Sequence, residues 1–276
     1  MGVVYLAFDA ALERHVAIKA LPQVSVTESV RLRREARAMA AFTHPHLALI
    51  FGIESWRGSP ALVMEYLEGG TLADRLRRSR LVPPEVARIA YDLAGAIALI
   101  HDAGLLHRDI KPSNIAFTNT GEPKLLDFGL AQMFATGAPE NRRRRTSIDA
   151  GAWMTGADFT TAFQPGAFAG TRGYMAPEAV TGESLDGTSD MWSFGVVLFE
   201  SLTGEHPLKG RPMEADWIRE VQSLVPDCPL LLGQLVADLL ATDRRKRPAS
   251  AHVVRTRLRD FVLSSSLETS RLARHI

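Results

Sequence analysis

Two short stretches carry side chains that could act together on a phosphate group. Residues 107–114 read His-Arg-Asp-Ile-Lys-Pro-Ser-Asn and supply a carboxylate at Asp109, an ammonium at Lys111 and an amide at Asn114. A second carboxylate, Asp127, opens the triplet Asp-Phe-Gly. Phosphoryl transfer needs a carboxylate to accept the nucleophile's proton, a cation beside the migrating group and oxygen ligands for Mg²⁺. A lone His-Arg-Asp triplet is weak evidence, whereas the full run followed by Asp-Phe-Gly is a specific signal.

These stretches resemble the catalytic loop and the metal-binding triplet of the protein kinase family. The resemblance implies that Asp109 accepts the proton of the substrate hydroxyl and that Lys111 neutralises charge on the transferring phosphoryl group. It implies that Asn114 and Asp127 bind Mg²⁺. Thr171, in Gly-Thr-Arg-Gly-Tyr-Met-Ala-Pro-Glu, is expected to contact both Asp109 and Lys111. A lysine in the catalytic loop indicates serine/threonine specificity, and the motifs are most similar to those of bacterial kinases of the eukaryotic type.

The fold class implied by this resemblance is α+β, with two lobes. A small antiparallel β-rich lobe is expected over residues 1–66, with its first strand missing, and a larger α-helical lobe over residues 67–262. The larger lobe includes a long activation segment, residues 127–178, and residues 263–276 form a polar tail.

Runs of β-branched and aromatic residues predict the strands of the smaller lobe. They cover residues 3–8, 15–21, 47–53 and 61–66, with a loop at residues 58–60. Apolar residues at helical spacing predict a buried helix over residues 84–101, which leads directly into the catalytic loop. A weaker helical pattern covers residues 29–42.

The smaller lobe is expected to bind ATP. Lys19, in Val-Ala-Ile-Lys, resembles the lysine that holds the α- and β-phosphates, and Glu35 is expected to pair with it. The alternative for Glu35 is an ordinary solvent-facing pair with Arg31. The other nucleotide contacts that the resemblance implies are backbone groups of Glu65 and Leu67, Met64 behind the adenine, and apolar walls from Val4, Ala17 and Ala116.

The glycine-rich loop over the phosphates is incomplete. Kinases carry Gly-x-Gly-x-x-Gly-x-Val at this place, and the chain begins at the last glycine, with Gly2 and Val4 matching the end of the pattern. One interpretation is that Met1 is an internal methionine and the true start lies upstream. The other is that the protein lacks half of its phosphate lid. We favour the first, because the pattern from Val4 to Asp9 is otherwise regular.

Three further residues are expected to support the site without touching substrate. Glu178, in Ala-Pro-Glu, is expected to pair with Arg247 and hold the end of the activation segment. Asp190, in Asp-Met-Trp-Ser-Phe-Gly, is expected to anchor the backbone of the catalytic loop near His107.

The activation segment is unusually long and polar, which suggests either a mobile insertion or a regulatory one. The regulatory hypothesis is autophosphorylation, with Arg108 binding the resulting phosphate. The candidate hydroxyls are those of Thr146, Ser147, Thr160 and Thr161.

Charge balance and cysteine content indicate which partners and which compartment to expect. The chain has 276 residues, with 32 basic and 31 acidic side chains, which gives no electrostatic reason to expect nucleic acid or a membrane surface as a partner. A single cysteine, Cys228, suits a reducing compartment. We therefore expect a soluble, cytoplasmic protein that binds ATP, Mg²⁺ and protein substrates. His44 and His46 raise the idea of a metal site, but no cysteine or carboxylate cluster lies beside them in the sequence, so we assign them to a loop.

Two other functions are compatible with parts of this pattern. A pseudokinase scaffold would bind partners without turnover, and only the missing glycines favour it. A small-molecule phosphotransferase of related fold would lack the Gly-Thr…Ala-Pro-Glu segment, which this chain contains.

Overall fold

The smaller lobe is an antiparallel sheet. The computed structural model describes residues 3–20, 40, 42–56, 59–127 and 171–272; for residues 171, 172 and 264–272 it describes the backbone alone. The strands of this sheet lie in the spatial order β1-β2-β4-β3. They are β1 (Val4–Asp9), β2 (Arg14–Ala20), β3 (Ile50–Trp56) and β4 (Ser59–Glu65).

The hairpin between β1 and β2 is closed by a side chain. The Asp9 carboxylate accepts hydrogen bonds from the backbone N–H groups of Ala11 and Leu12, at 3.1 and 3.2 Å. This local bonding is the reason that aspartate is favoured in tight turns. The register that follows places Val4 opposite Lys19, so the lysine emerges at the end of the hairpin remote from the turn.

Two sequence predictions about these strands were wrong at their ends. The strand predicted from Leu47 begins only at Ile50, because Leu47 instead forms a parallel bridge with Leu125 in the larger lobe. The loop predicted at residues 58–60 is partly strand, since Ser59 and Pro60 open β4. Proline is tolerated there because Pro60 pairs only with β3, and pairing with β2 starts one residue later.

The larger lobe is helical, with one small sheet at its junction with the smaller lobe. Its helices are α1 (Leu72–Leu76), α2 (Pro83–Asp102), α3 (Pro177–Val180), α4 (Gly187–Thr203), α5 (Trp217–Leu224), α6 (Leu230–Leu239) and α7 (Ala251–Leu272). The small sheet pairs β5 (Ile115–Phe117) with β6 (Pro123–Leu125). Short 3-10 turns cover Pro112–Asn114, Thr171–Tyr174 and Arg244–Lys246.

Helices α2 and α4 form the centre of the larger lobe. Two prolines open α2, and the fixed φ of proline suits the first turn of a helix. The helix predicted over residues 84–101 is confirmed, with one more residue at each end. Helix α4 begins with Asp186 accepting the Thr188 N–H at 2.8 Å and ends at Gly204, whose φ of 76° suits glycine. Between them they bury most of their side chains.

The described part of the chain contains no helix that is both long enough and apolar enough to cross a membrane. The helix predicted over residues 29–42 lies almost entirely outside the described residues.

Candidate active site

In the catalytic loop, two polar side chains converge on the carboxylate of Asp109. The Lys111 Nζ lies 2.9 and 2.8 Å from the two Oδ atoms of Asp109. The Asn114 Nδ2 lies 2.8 Å from both the backbone carbonyl and the Oδ2 of Asp109. The 3-10 turn over Pro112–Asn114 makes this possible, because it folds the amide back toward the start of the loop. Lys111 and Asn114 are buried, while Asp109 remains partly exposed and therefore accessible to a ligand.

His107 supports this loop from below as a neutral ring. It is fully buried, and burial lowers the pKa of its imidazole below the usual value. Its Nδ1 accepts the Asp109 backbone N–H at 3.2 Å, so the proton resides on Nε2, which donates to the Leu126 carbonyl at 2.9 Å. His107 therefore links the backbone of the catalytic loop to the backbone just before Asp127.

Asp190 holds the loop in an unusual conformation. Arg108 has a φ of 64°, which costs a residue with a side chain about 1–3 kcal/mol. The backbone N–H groups of His107 and Arg108 both donate to the Asp190 carboxylate, each at 2.8 Å. Burial acts to raise the pKa of Asp190, but the hydrogen bond from His101, at 2.8 Å, and that from the Arg108 N–H hold it below its usual value. The anchor is thus a charged carboxylate.

Asp127 meets Lys19 across the two lobes. The Lys19 Nζ lies 2.6 Å from the Asp127 Oδ2, and both side chains are largely buried. Asp127 adopts a φ of 58°, a second strained position in the site. Its other oxygen, Oδ1, is buried and has no hydrogen-bond partner among the residues that the structure describes.

The donor set around Asp127 fits a hard divalent cation. A buried carboxylate oxygen without a partner is costly unless a ligand completes it. Asn114 lies beside it, since the Asn114 carbonyl accepts the Leu126 N–H at 2.8 Å. Carboxylate and amide oxygens are the ligands that Mg²⁺ prefers. The residues present therefore suit the metal that phosphoryl transfer requires.

The residues predicted to surround adenine lie on strands β1, β2, β4 and β5 and just after β4. Ala17 and Met64 are register partners on β2 and β4, and both are buried, as is Ala116 on β5. Val4 lies on β1 with much of its side chain exposed. Leu67 follows the end of β4 and is partly exposed.

The Glu65 side chain ties this junction to the larger lobe. Its carboxylate accepts the Leu49 N–H at 3.0 Å and pairs with the Lys124 Nζ at 2.8 and 2.9 Å. Lys124 lies on β6, three residues before Asp127. The strand end that is expected to bind adenine is therefore braced against the strand that leads to the proposed metal ligand.

Glu178 and Arg247 form a buried, two-pronged ion pair. The Arg247 Nη1 and Nη2 donate to the two Oε atoms of Glu178 at 2.6 and 2.9 Å. The side chains are 0% and 5% exposed. The pair fixes the start of α3 to the turn before α7.

Several sequence-predicted residues lie outside the described residues. They are Gly2, Glu35, Thr146, Ser147, Thr160 and Thr161. The backbone of Thr171 lies in the 3-10 turn before Tyr174, and its side chain is likewise outside the description.

Sequence reasoning missed His101 and Lys124. Each acts through a partner far along the chain, since His101 bonds Asp190 and Lys124 bonds Glu65. The only sequence signal for His101 was its place at the end of the buried helix, six residues before His107. Nothing in the sequence singled out Lys124.

Comparison with known proteins gives the family. A family model described as "Protein kinase domain" matches residues 1–258. The chain belongs to the protein kinase family. This confirms the family that the motifs predicted, and the relatives and the solved structure described next confirm the bacterial serine/threonine kinase resemblance and the fold class.

Curated relatives are bacterial kinases. The chain is 35% identical over 218 residues to serine/threonine-protein kinase PknB of Mycobacterium leprae, which covers 76% of this chain and 32% of the relative. It is 33% identical over 270 residues to serine/threonine-protein kinase pkn2 of Myxococcus xanthus, which covers 91% of this chain and 30% of the relative. The chain thus spans about a third of the length of these relatives.

Among solved structures, the kinase domain of Mycobacterium tuberculosis PknI matches with a TM-score of 0.67 at 23% identity, over 94% of this chain and 91% of that one. At this identity the likeness concerns the fold.

Proposed function

We propose that this chain is a serine/threonine protein kinase domain, which transfers the γ-phosphate of ATP to serine and threonine hydroxyls of proteins. The observation that carries the proposal is the convergence of Lys111 and Asn114 on Asp109, with both nitrogens 2.8 Å from its Oδ2. The printed names of the bacterial relatives support the same activity.

In the proposed reaction Asp109 accepts the proton of the substrate hydroxyl. The hydroxyl oxygen bonds to the γ-phosphorus as the bond from phosphorus to the β,γ-bridging oxygen breaks, and ADP leaves with that oxygen and its electron pair. Lys111 is buried and hydrogen-bonded to Asp109, so its charge lies beside the transferring group. Because little water reaches it there, its charge stabilises the negative charge on that group more strongly than it would in solvent. We assign Thr171 to positioning these two side chains.

On the nucleotide side we assign Lys19 to the α- and β-phosphates. Its ion pair with Asp127 keeps it at the junction of the lobes, where the phosphates have to lie. Asn114 and Asp127 would hold Mg²⁺, which when bound neutralises charge on the phosphates. The remaining assignments are those of the sequence, with Glu35 orienting Lys19, Gly2 over the phosphates, and adenine between Val4, Ala17, Met64, Glu65, Leu67 and Ala116.

The proposal includes the division of the chain and its regulation. We retain residues 1–66 and 67–262 as the two lobes, with the activation segment at 127–178 and a polar tail from 263. The single cysteine favours a cytoplasmic location. Arg108, whose buried Nε has no hydrogen-bond partner within the described part of the chain, is proposed to bind a phosphate on the activation segment. The proposed sites are Thr146, Ser147, Thr160 and Thr161, which phosphopeptide mapping of active protein tests.

The decisive experiment compares wild type with Asp109→Asn in a γ-phosphate transfer assay on a generic protein substrate. Loss of the base should lower the transfer rate by at least about 10²-fold while ATP binding persists. Asp102→Asn is the matched control, because Asp102 is an exposed partner of His252 outside the site. Phosphate appearing on serine and threonine supports the assignment of specificity.

Two results would contradict this proposal. Equal rates for wild type and Asp109→Asn would remove Asp109 from the reaction. A wild-type chain that binds ATP and transfers nothing would favour the scaffold function instead.

A further inference from the structure

Three potential metal ligands that have no role in the proposed active site lie close together. They are His46 in the loop before β3, Asp92 in the middle of α2, and Glu122 in the turn between β5 and β6. One ligand atom from each lies within 4.8 Å of the others. Among the described residues, these three form the group of histidine and acidic side chains that is close enough to share a metal ion. The sequence alone does not pair His46 with these carboxylates, because both lie far from it along the chain.

The His46 ring is oriented as a ligand. Its Nδ1 lies 2.8 Å from the Pro123 carbonyl, which can only accept, so Nδ1 carries a proton. In the neutral ring, Nε2 then presents a lone pair, and it faces the Asp92 Oδ1 at 3.5 Å. A lone pair facing a carboxylate needs a cation between them, which is either a second proton on the ring or a metal ion. Backbone carbonyls that fix the far nitrogen in this way are the usual support of metal-binding histidines.

The spacing suits a small tetrahedral ion. Zinc–nitrogen and zinc–oxygen bonds of about 2.0–2.1 Å place neighbouring ligand atoms about 3.3–3.4 Å apart. The separation of 3.5 Å between His46 and Asp92 is close to that value. The Glu122 side chain is 52% exposed, so it can rotate to close the third position at little cost. Water is free to take the fourth position.

Arg88 competes for the same carboxylates without blocking the site. Its Nη1 lies 3.3 Å from the Asp92 Oδ2 and 3.6 Å from the Glu122 Oε2. The oxygen of Asp92 that faces His46 is Oδ1, the other one. The arginine therefore weakens metal binding through its charge but leaves the facing lone pairs available.

Two of the ligands stand on rigid supports. The His46 carbonyl accepts the Leu125 N–H at 2.9 Å, and the Ala48 N–H donates to the Leu125 carbonyl at 3.0 Å. Asp92 lies in the interior of a long buried helix. Little conformational freedom is lost when such groups bind an ion, which favours binding.

We propose that His46, Asp92 and Glu122 form a binding site for a divalent transition metal, with Zn²⁺ as the ion that their chemistry fits best. One imidazole with two carboxylates is a zinc-type donor set, whereas Mg²⁺ prefers oxygen ligands alone. A bound ion would join the loop before β3 to α2 and to the β5–β6 turn. Strand β6 runs directly toward Asp127, so the ion would stiffen the approach to the proposed active site.

The test is calorimetric titration of the whole chain with Zn²⁺ in a large excess of Mg²⁺. We expect saturable one-to-one binding that weakens at least about tenfold in His46→Gln and in Asp92→Asn. Arg88→Gln should bind more tightly, because it removes the competing charge. The matched control is His252→Gln, since that histidine contacts Asp102 at 3.0 Å outside the cluster and its loss should change nothing.

A second readout separates this site from the proposed Mg²⁺ site. Asp127→Asn should keep the Zn²⁺ binding, and Zn²⁺ should raise the thermal unfolding midpoint of wild type more than that of His46→Gln. Absence of saturable binding in wild type would overturn the proposal. So would unchanged binding in His46→Gln and Asp92→Asn, or loss of binding in Asp127→Asn alone.

Discussion

The ion pair between Glu178 and Arg247 leads to a specific prediction about the free energy of unfolding. Both groups are almost fully buried, so each depends on the other for compensation. Removing one partner of a buried pair costs about 3–5 kcal/mol, because the remaining charge is left uncompensated. Arg247 also donates hydrogen bonds to the carbonyls of Ala241, Thr188 and Thr242.

These extra hydrogen bonds determine which of two variants, Glu178→Gln or Arg247→Met, loses more stability. In Glu178→Gln the arginine keeps its three carbonyl partners, so we expect the free energy of unfolding to fall by about 3 kcal/mol. In Arg247→Met the Glu178 carboxylate keeps one side-chain partner among the described residues, the Ser189 hydroxyl at 2.9 Å, so we expect a fall of about 5 kcal/mol. The double variant should lose less than the sum, because neither charge then remains unpaired.

The assay is urea unfolding at neutral pH, with Arg257→Met as control. Arg257 forms a 2.5 Å pair with Asp238, but the side chains are 46% and 26% exposed, so its loss should cost less than about 1 kcal/mol. A loss in Glu178→Gln no larger than that in Arg257→Met would refute the reasoning.

The same pair predicts a pH dependence. Burial acts to raise the pKa of Glu178, but the hydrogen bonds and charge of Arg247 hold it below its ordinary value of 4.5. A depressed carboxyl pKa contributes stability above the unfolded pKa and loses it as pH falls through the folded pKa. The stability difference between wild type and Glu178→Gln should therefore be full at pH 7 and shrink in acid below pH 4.5.

Two further predictions concern the brace at the lobe junction and the centre of α4. Glu65→Gln removes the charge that Lys124 neutralises, and we expect the KM for ATP to rise about tenfold, the equivalent of one charge-assisted bond of about 1.4 kcal/mol. Steady-state kinetics would contradict this if kcat fell while KM stayed constant. Gly195→Ala adds a Cβ at 2.7 Å from the Leu239 Cβ, so we expect a loss of about 1–3 kcal/mol in urea unfolding. Helix propensity alone predicts a gain of about 1 kcal/mol, so a stabilised variant would show that Leu239 moves aside.

The sequence by itself predicted the groups that act locally. Asp109, Lys111 and Asn114 lie within one loop, so their spacing along the chain already limits how they can meet. The buried helix before that loop was equally readable, because its apolar periodicity is set by the geometry of the helix itself. These features need no knowledge of distant residues.

Strand ends were harder to predict, for a physical reason. The apolar run from Leu47 has the composition of a strand, but its first residues pair with Leu125 in the larger lobe, and only Leu49 reaches the end of β4, at Glu65. Which partner an extended segment finds depends on tertiary packing, so propensity could not place the start of β3 at Ile50.

Tertiary structure alone decided the long-range contacts. Lys19 and Asp127 are 108 residues apart, and their contact at 2.6 Å exists only because the two lobes pack with these side chains facing each other. His46, Asp92 and Glu122 likewise lie close together only because of tertiary packing. The order of residues along the chain determines which charges meet within a loop, and packing of the lobes determines which distant charges share a site.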